Sequence, residues 1–235
     1  MRVIREVFRR IRYKINFLVK KNDSNVSYIS RLNNNNELTN LMNLYGSDKG
    51  GRNNDHNYAS YYSKIFFHKK NQIKNFLEIG LGTNNQNLVS NMGSNGVPLA
   101  SLRAWRDYFI NANIYGADID KNILKNEERI ETYYVDQTNP ITINELFINL
   151  GDIKFDIILD DGLHHFEANI CLFENSINHL KSDGIYIIED IYYKDQKKFL
   201  NYFKNKNYYF SIINIYHEYN NKNNCLLIIK KNPNN

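Results

Sequence analysis

The chain has 235 residues, of which 42% are hydrophobic and 14% aromatic; this excludes wholesale disorder and collagen-like or coiled-coil architectures, and favours one domain with an appendage. Residues 1–21 carry eight basic side chains against one acid, a net charge of +7, whereas the whole chain carries +5, so the remainder carries −2. A slightly acidic body argues against a nucleic-acid partner. The sequence contains no run of about 18 apolar residues, so no transmembrane helix is predicted. A cytoplasmic protein is expected.

The first 21 residues are predicted to form a basic amphipathic helix, followed by a linker over residues 22–39. Apolar side chains recur every three or four positions and the arginines fall largely between them, as in a helix with one apolar face. These apolar residues are Ile4, Val7, Phe8, Ile11, Ile15 and Leu18. Such a helix suits peripheral contact with the inner face of an anionic membrane, and it equally suits docking on the parent domain or on a second copy in a homo-oligomer.

Residues 40–231 are predicted to form a single α/β domain, because short apolar runs alternate with longer segments of helical pattern. This alternation indicates a Rossmann-like, doubly wound, mostly parallel seven-stranded sheet that ends in an antiparallel hairpin strand. The predicted strands are 76–79, 114–118, 132–135, 155–159, 185–188, 208–216 and 225–230. The predicted helices lie around 102–110, 143–150, 166–180 and 196–203.

A glycine-rich loop follows the first of these strands. Glu78 ends the apolar run and is followed by Gly80 and Gly82, which allow a tight turn and a close approach of the backbone to a ligand. The third glycine of the dinucleotide fingerprint is absent, because Asn85 stands in its place. The loop therefore favours an adenosine cofactor other than NAD, although an ordinary strand-to-turn junction would look similar.

Carboxylates at the ends of the next strands are candidate contacts for such a cofactor. Asp118 is placed to accept hydrogen bonds from both ribose hydroxyls, while Asp120 is expected to cap the following helix. Asp136 or the following Gln137 would reach the edge of the adenine ring. The predicted cofactor-binding set is Ser47, Lys49, Glu78, Gly80, Gly82, Asp118, Ile119, Asp136, Gln137 and Asp160.

Two further strands end in pairs of acids and predict a metal site. Asp161 follows one apolar strand, and Glu189 with Asp190 follows another. Adjacent parallel strands would bring these carboxylates together, where they would repel one another unless a cation neutralised them. All-oxygen ligation suits Mg²⁺, Ca²⁺ or Mn²⁺ rather than zinc. The alternative is that these acids are solvated strand ends or helix caps.

Two histidines follow Asp161 in the same loop. His164 would lie beside the metal and could accept a proton near neutral pH, which makes it the candidate general base. His165 is the alternative, and the spacing does not decide between them.

Taken together, these motifs resemble class I S-adenosylmethionine-dependent methyltransferases over about residues 40–230. More narrowly, the chain is similar to the Mg²⁺-dependent sugar O-methyltransferases of macrolide biosynthesis, of the mycinamicin and tylosin type, and to their relatives in bacterial surface-glycan clusters. The motifs that carry this resemblance are Tyr45-Gly46-Ser47-Asp48-Lys49-Gly50 with His56 and Tyr58, Ser101-Leu102 with Trp105 and Tyr108-Phe109, Asp161-Gly162 with His164, and Glu189-Asp190.

The resemblance implies roles for individual residues. It places the metal ligands on Asp161, Glu189 and Asp190, the general base on His164, and the segment 45–49, with Ser47 and Lys49, near the methionine end of the cofactor. The sequence departs from the family at Leu163, where serine is common, and at Ser47, where threonine is common. No counterpart of the larger N-terminal domain of the macrolide enzymes is expected in this sequence, so their acceptor and oligomeric assembly should not be assumed.

The expected activity is transfer of a methyl group from S-adenosylmethionine to a sugar hydroxyl, assisted by Mg²⁺ or Mn²⁺. The acceptor would be a nucleotide-linked sugar or a glycan precursor, in bacterial surface or capsule polysaccharide synthesis. Two alternatives stay open: a metal-independent methyltransferase of a small amine or phospho-alcohol, and a cofactor-binding module without catalysis.

Overall fold

An eight-stranded sheet runs through the protein, whose computed structural model describes residues 11, 13–17, 24–52 and 55–232. The strands are β1 (Val26–Ile29), β2 (Asn75–Ile79), β3 (Asn113–Asp118), β4 (Ile130–Tyr134), β5 (Phe155–Asp160), β6 (Leu180–Ile188), β7 (Tyr208–Ile215) and β8 (Cys225–Lys231). Their spatial order is β1-β7-β8-β6-β5-β2-β3-β4. Strand β8 is antiparallel to both of its neighbours, and the other pairings are parallel.

Helices cover both faces of this sheet. They are α1 (Glu37–Tyr45), α2 (Tyr58–Phe66), α3 (Ala100–Tyr108), α4 (Pro140–Leu150), α5 (Phe166–Ser176) and α6 (Gln196–Phe203). Their ends follow local chemistry: the Asn36 side chain accepts a hydrogen bond from the Thr39 amide and so caps α1, which ends at Gly46 with φ of 84°. Pro140 begins α4 at a position where its missing N–H costs no helical hydrogen bond.

Two apolar cores lie on the two faces of the sheet. The first contains side chains from α1, α2 and α3, with Trp105 and Tyr62 fully buried at its centre. The second contains side chains from α4, α5 and α6, among them Phe173 and Phe199. Because both faces are covered, the central strands β2 and β5 are largely apolar, as parallel strands of a doubly wound sheet are.

The predicted fold class is confirmed, with eight strands instead of seven. All seven predicted strands are present, and the additional strand, β1, lies inside the segment predicted as a linker. It was missed because a four-residue segment of mixed polarity gives little periodic signal, and its pairing with β7 is a tertiary contact. Helices α1 and α2 were also not predicted.

The division into an arm at 1–21, a linker at 22–39 and a domain at 40–231 stays a prediction. Most of the arm lies outside the described residues; within it, residues 11 and 13–17 are helical. Over the part of the chain that the structure describes, no helix combines the length and the apolar character that crossing a bilayer would need.

Candidate functional site

The carboxyl ends of β2, β5 and β6 lie side by side. Ile79 pairs with Asp160, and Asp160 pairs with Ile188, so the three strands end in register. The next residues continue this alignment: the Asp161 amide donates to the Ile79 carbonyl at 2.8 Å. The chain order also reverses at this point, with β3 and β4 on one side of β2 and β5 and β6 on the other. Open α/β sheets bind their ligands at such a crevice.

Close contacts explain why Gly80 and Gly82 are glycines. Gly80 adopts a φ of +94°, and a Cβ atom there would lie 2.1 Å from the carbonyl oxygen of Asp161. Gly82 adopts a φ of +78°, and a Cβ atom there would lie 2.3 Å from the sulfur of Met92. The first glycine thus allows the β2 loop to cross directly against the loop that follows β5, which brings the predicted cofactor and metal segments together.

Asp118 ties the end of β3 to the glycine-rich loop. Its Oδ2 accepts a hydrogen bond from the Leu81 amide at 2.6 Å and its Oδ1 accepts one from the Asp120 amide at 2.8 Å. Asp120 in turn accepts from the Asn122 amide and caps the 3₁₀ helix Lys121–Ile123, which confirms its predicted role as a cap. The ribose contact of Asp118 stays a prediction.

The remaining predicted cofactor residues line the same edge with different exposure. Ile119 is 45% exposed beside Asp118, as an apolar residue that packs on a ring would be. Asp136 accepts hydrogen bonds from the amide and hydroxyl of Thr138 and so stabilises its own turn. Gln137 bridges two loops, since it donates to Asp160 at 2.6 Å and accepts from the Leu163 amide at 2.8 Å.

Asp160 has a structural role that the sequence did not reveal. Its carboxylate is fully buried and accepts hydrogen bonds from Gln137 and, at 2.9 Å, from Asn169. Burial raises the pKa of Asp160 to about 6, although these hydrogen bonds act in the opposite direction. A cofactor contact at Asp160 stays a prediction, and it would have to involve the backbone because the carboxylate is enclosed.

Lys49 lies among three carboxylates at this edge. Its ammonium donates to Asp161 and, at 2.8 Å, to Glu189, and it lies 3.6 Å from Glu78 Oε1. The Lys49 side chain is 2% exposed. Burial by itself lowers the pKa of Lys49, but the neighbouring carboxylates outweigh it and raise that pKa well above its usual value. The 3₁₀ helix Asp48–Gly50, capped by the Ser47 side chain, holds Lys49 in this place.

Glu189 is engaged by protein groups at both carboxylate oxygens. Oε1 accepts from the Tyr62 hydroxyl at 2.5 Å and Oε2 accepts from Lys49. The structure instead brings together ligand atoms of Asp161, His164 and Asp190, which lie within 4.8 Å of one another. Asp161 and Asp190 thus meet as predicted, whereas metal ligation by Glu189 stays a prediction.

Two of these residues have strained backbones. Asp190 adopts a φ of +56° and His164 a φ of +58°. Residues other than glycine seldom occupy this left-handed region. Strain of this kind costs about 1–3 kcal/mol per residue and persists at sites where the surroundings enforce it. Here it aims the two side chains at one another, with His164 Nε2 4.0 Å from Asp190 Oδ2.

Tyr58 and a second imidazole, that of His56, contact the other carboxylate oxygen of Asp190. The Tyr58 hydroxyl donates to Asp190 Oδ1 at 2.7 Å, and His56 Nδ1 lies 3.3 Å from the same oxygen. Sequence reasoning had named His56 and Tyr58 only as parts of a family motif, and it missed Tyr62. The four-residue spacing of the two tyrosines, which places them on one face of α2, was the available signal.

The structure separates the two candidate histidines. The ring of His164 faces Asp190, and its Nδ1 is buried with no hydrogen-bond partner among the described residues. His165 is exposed at the start of α5. Their positions favour His164 over His165 as the group that acts with the acids.

The residues present fit both a divalent cation and a cationic cofactor. Two carboxylates with a neighbouring imidazole form a donor set that suits Mg²⁺ or Mn²⁺. Beside them, the fully buried carboxylate of Glu78 makes no hydrogen bond to any described residue. The Lys49 ammonium, 3.6 Å away, lies beyond hydrogen-bond distance, so this carboxylate keeps acceptor sites for a ligand beside the glycine-rich loop.

Stability is expected to fall with rising pH because of Glu78. Burial raises the pKa of Glu78 to about 7, so between its usual value and about 7 the folded protein holds a proton that the unfolded chain releases. Stability from this group is therefore present at acid pH and lost as pH rises through that window. Glu78→Gln should raise the free energy of unfolding by up to about 3 kcal/mol at about pH 8 and flatten its pH dependence.

Urea unfolding at several pH values measures this effect. Glu145→Gln, at an exposed glutamate of α4, is the matched control and should follow the curve of the unaltered protein. Part of the slope should remain in Glu78→Gln because Asp160 acts with the same sign. Parallel curves for the unaltered and Glu78→Gln proteins would show that folding does not shift the pKa of Glu78.

Comparison with known proteins shows which proteins this chain is similar to. No family model matches the chain. The 8-demethyl-8-alpha-L-rhamnosyl tetracenomycin-C 2'-O-methyltransferase of Streptomyces olivaceus is 30% identical over 66% of this chain and 37% of its own length. The demethylmacrocin O-methyltransferase of Streptomyces fradiae is 32% identical over 66% of this chain and 36% of its own. The chain thus spans just over a third of the length of these relatives.

Solved structures of methyltransferases also match this chain. The MycE methyltransferase of the mycinamycin pathway, in complex with Mg, SAH and mycinamycin VI, matches with a TM-score of 0.55 and 29% identity over 66% of this chain and 39% of its own. The SAH-bound methyltransferase PaMTH1 of Podospora anserina matches with a TM-score of 0.53 over 84% of this chain and 88% of its own. Its identity is 10%, so it supports the fold alone.

Proposed function

Because this chain has the fold of the class I methyltransferases and is similar in sequence to sugar O-methyltransferases, we propose that it transfers a methyl group from S-adenosylmethionine to a sugar hydroxyl. One observation carries the proposal. Asp161, His164 and Asp190 meet at the end of the sheet, directly against the loop that contains Gly80 and Gly82. The proposed acceptor-activating residues and the proposed cofactor loop would thus share one crevice.

The residues of this chain have separable roles in the proposed reaction. Gly80 and Gly82 let the backbone approach the cofactor, and Asp118 with Ile119 would hold its adenosine. S-adenosylmethionine would supply a methyl group already activated on its sulfonium, and a divalent cation held by Asp161 and Asp190 would orient the acceptor hydroxyl and lower its pKa.

His164 is proposed as the general base. Its Nε2, which faces the Asp190 carboxylate, would accept the hydroxyl proton as the new bond between oxygen and the methyl carbon forms and the bond between that carbon and sulfur breaks. Asp190 would stabilise the resulting positive charge on the ring. Alignment of the acceptor and the methyl carbon by the crevice walls contributes further, because fixed orientation removes an entropic cost.

The finer assignments are part of the proposal. The acceptor would be a nucleotide-linked sugar or a glycan precursor in bacterial surface-polysaccharide synthesis, and the protein would act in the cytoplasm. Support for a sugar acceptor comes from the relatives, which are named as O-methyltransferases of glycosylated antibiotics. Contact of residues 1–21 with a membrane is a separate proposal, argued below.

The test is a screen of free and nucleotide-linked sugars with methyl-labelled S-adenosylmethionine, in the presence of Mg²⁺ and of a chelator. We expect labelled product with Mg²⁺, loss of product with the chelator, and recovery on adding Mg²⁺ back. Asp161→Asn should abolish transfer, whereas Asp183→Asn, at an exposed acid, should leave it unchanged.

Two results would contradict the proposal. Undiminished transfer in the chelator would show that the chain is a metal-independent methyltransferase. Binding of S-adenosylhomocysteine in calorimetry, without transfer to any sugar, would show that this crevice binds the cofactor without sugar O-methyl transfer.

A further inference from the structure

The described part of the N-terminal arm docks on the body through one face only. Tyr13 is buried, stacks on Tyr216 with ring centroids 5.7 Å apart, and accepts a hydrogen bond from the His217 amide at 2.8 Å. Phe17 packs on the same ring and on Tyr28, with centroids 5.4 Å and 5.2 Å away. The body therefore already occupies the aromatic face of this helical segment.

The opposite face carries apolar side chains that the body does not cover. Ile11 is 50% exposed and Ile15 is 49% exposed, one helical turn apart, and Lys14 beside them is exposed. Docking on the parent domain, one of the predicted uses of this segment, thus involves Tyr13 and Phe17. It does not explain the two isoleucines.

Charge distinguishes this face from other exposed apolar positions. Ile141 and Ile148 on α4 are 67% and 77% exposed, but their neighbour on the helix is the acidic Glu145. The isoleucines of the arm instead belong to a 21-residue sequence with a net charge of +7, on a chain whose remainder carries −2. Positive charge concentrated around apolar side chains is complementary to an anionic lipid bilayer, whose headgroups are negatively charged and whose interior is apolar.

We propose that residues 1–21 bind the surface of an anionic lipid bilayer, with Ile11 and Ile15 inserted at the boundary between headgroups and acyl chains. A second copy of the chain is the less suitable occupant, because two arms of +7 would repel one another at a shared interface. Docking by Tyr13 and Phe17 fixes the described part of the arm against Tyr216 and His217, which follow β7. Membrane binding would therefore orient the whole body against the bilayer.

Vesicle co-sedimentation of the full chain tests the proposal. The probes are phosphatidylcholine vesicles with and without phosphatidylglycerol. We expect sedimentation with the anionic vesicles only, and weaker binding at high salt because the charges are screened. The double variant Ile11→Glu, Ile15→Glu should bind at least about tenfold more weakly, since it replaces apolar contacts with negative charges.

The double variant Ile141→Glu, Ile148→Glu is the matched control, because it places the same charges at more exposed isoleucines; it should bind as the unaltered protein does. Circular dichroism checks that both variants fold. Equal binding of the arm variant, or no sedimentation of the unaltered protein, would overturn the proposal. A dimer seen by light scattering that only the arm variant disrupts, without vesicle binding, would show that a second copy covers this face. Methyl transfer to a free sugar is measured without vesicles. The proposed membrane binding and the proposed methyl transfer are therefore tested independently.

Discussion

Replacing His164 with alanine is expected to lower the rate of methyl transfer by about 10²- to 10⁴-fold while cofactor affinity stays unchanged. The reason is positional: His164 faces Asp190, whereas the predicted ribose and adenine contacts lie at the ends of β3 and β4. Single-turnover transfer from labelled S-adenosylmethionine measures the rate, and calorimetry with S-adenosylhomocysteine measures the affinity. Loss of both together would indicate a structural effect of the substitution.

His165→Ala is the matched control for this prediction. It removes the adjacent imidazole, which is exposed at the start of α5, and should leave the rate within about twofold of the unaltered enzyme. If His165→Ala is the inactive variant and His164→Ala is active, the assignment of the base is reversed. If both variants are fully active, no imidazole of this loop acts as the base.

Replacing Lys49 with methionine is expected to lower the free energy of unfolding by about 3–5 kcal/mol, the usual cost of removing one partner of a buried ion pair. Lys49 is 2% exposed and is the cation that contacts both Asp161 and Glu189, with Glu78 close by. Without the ammonium, these acids would face one another in a low-dielectric site. Urea unfolding at neutral pH in the presence of a chelator measures the loss.

Lys70→Met is the control for this loss, because Lys70 pairs with the half-exposed Glu37 at the surface. Its effect should be about 0–1 kcal/mol. The penalty for Lys49→Met should shrink at acid pH, since Glu78, with a pKa raised to about 7, takes up a proton there. A Lys49→Met protein as stable as the unaltered one at neutral pH would show that the carboxylates do not need this cation.

The periodicity of the sequence predicted the central sheet well because its strands are buried on both faces. The second half of β5 and the end of β6 are apolar runs that stop at acids, a pattern typical of buried parallel strands. The glycine-rich loop was equally recognisable, since Gly80 and Gly82 directly follow the apolar strand in the sequence. The strands and the glycine-rich loop could be predicted because both are defined by residues adjacent in the sequence.

The elements that were missed depend on partners distant in sequence. β1 is four residues long and exists by pairing with β7, nearly 190 positions later. Helix α2 begins at Asn57 without a side-chain cap and consists largely of tyrosine and serine, so it lacks a strong helical pattern. Its tyrosines are fixed by contacts with Asp190 and Glu189, which a sequence pattern cannot supply.

The sequence by itself determined the α/β class of this protein, its glycine-rich loop and the acids that meet at one sheet edge, because strand register carries neighbouring strand ends to the same place. Only the tertiary structure decided how those acids are used. It placed Lys49 against Glu189 and Asp161, turned His164 and Asp190 toward each other through positive φ angles, and left His165 exposed. Pairing of charges across more than a hundred residues depends on distances in the folded protein, which no local pattern encodes.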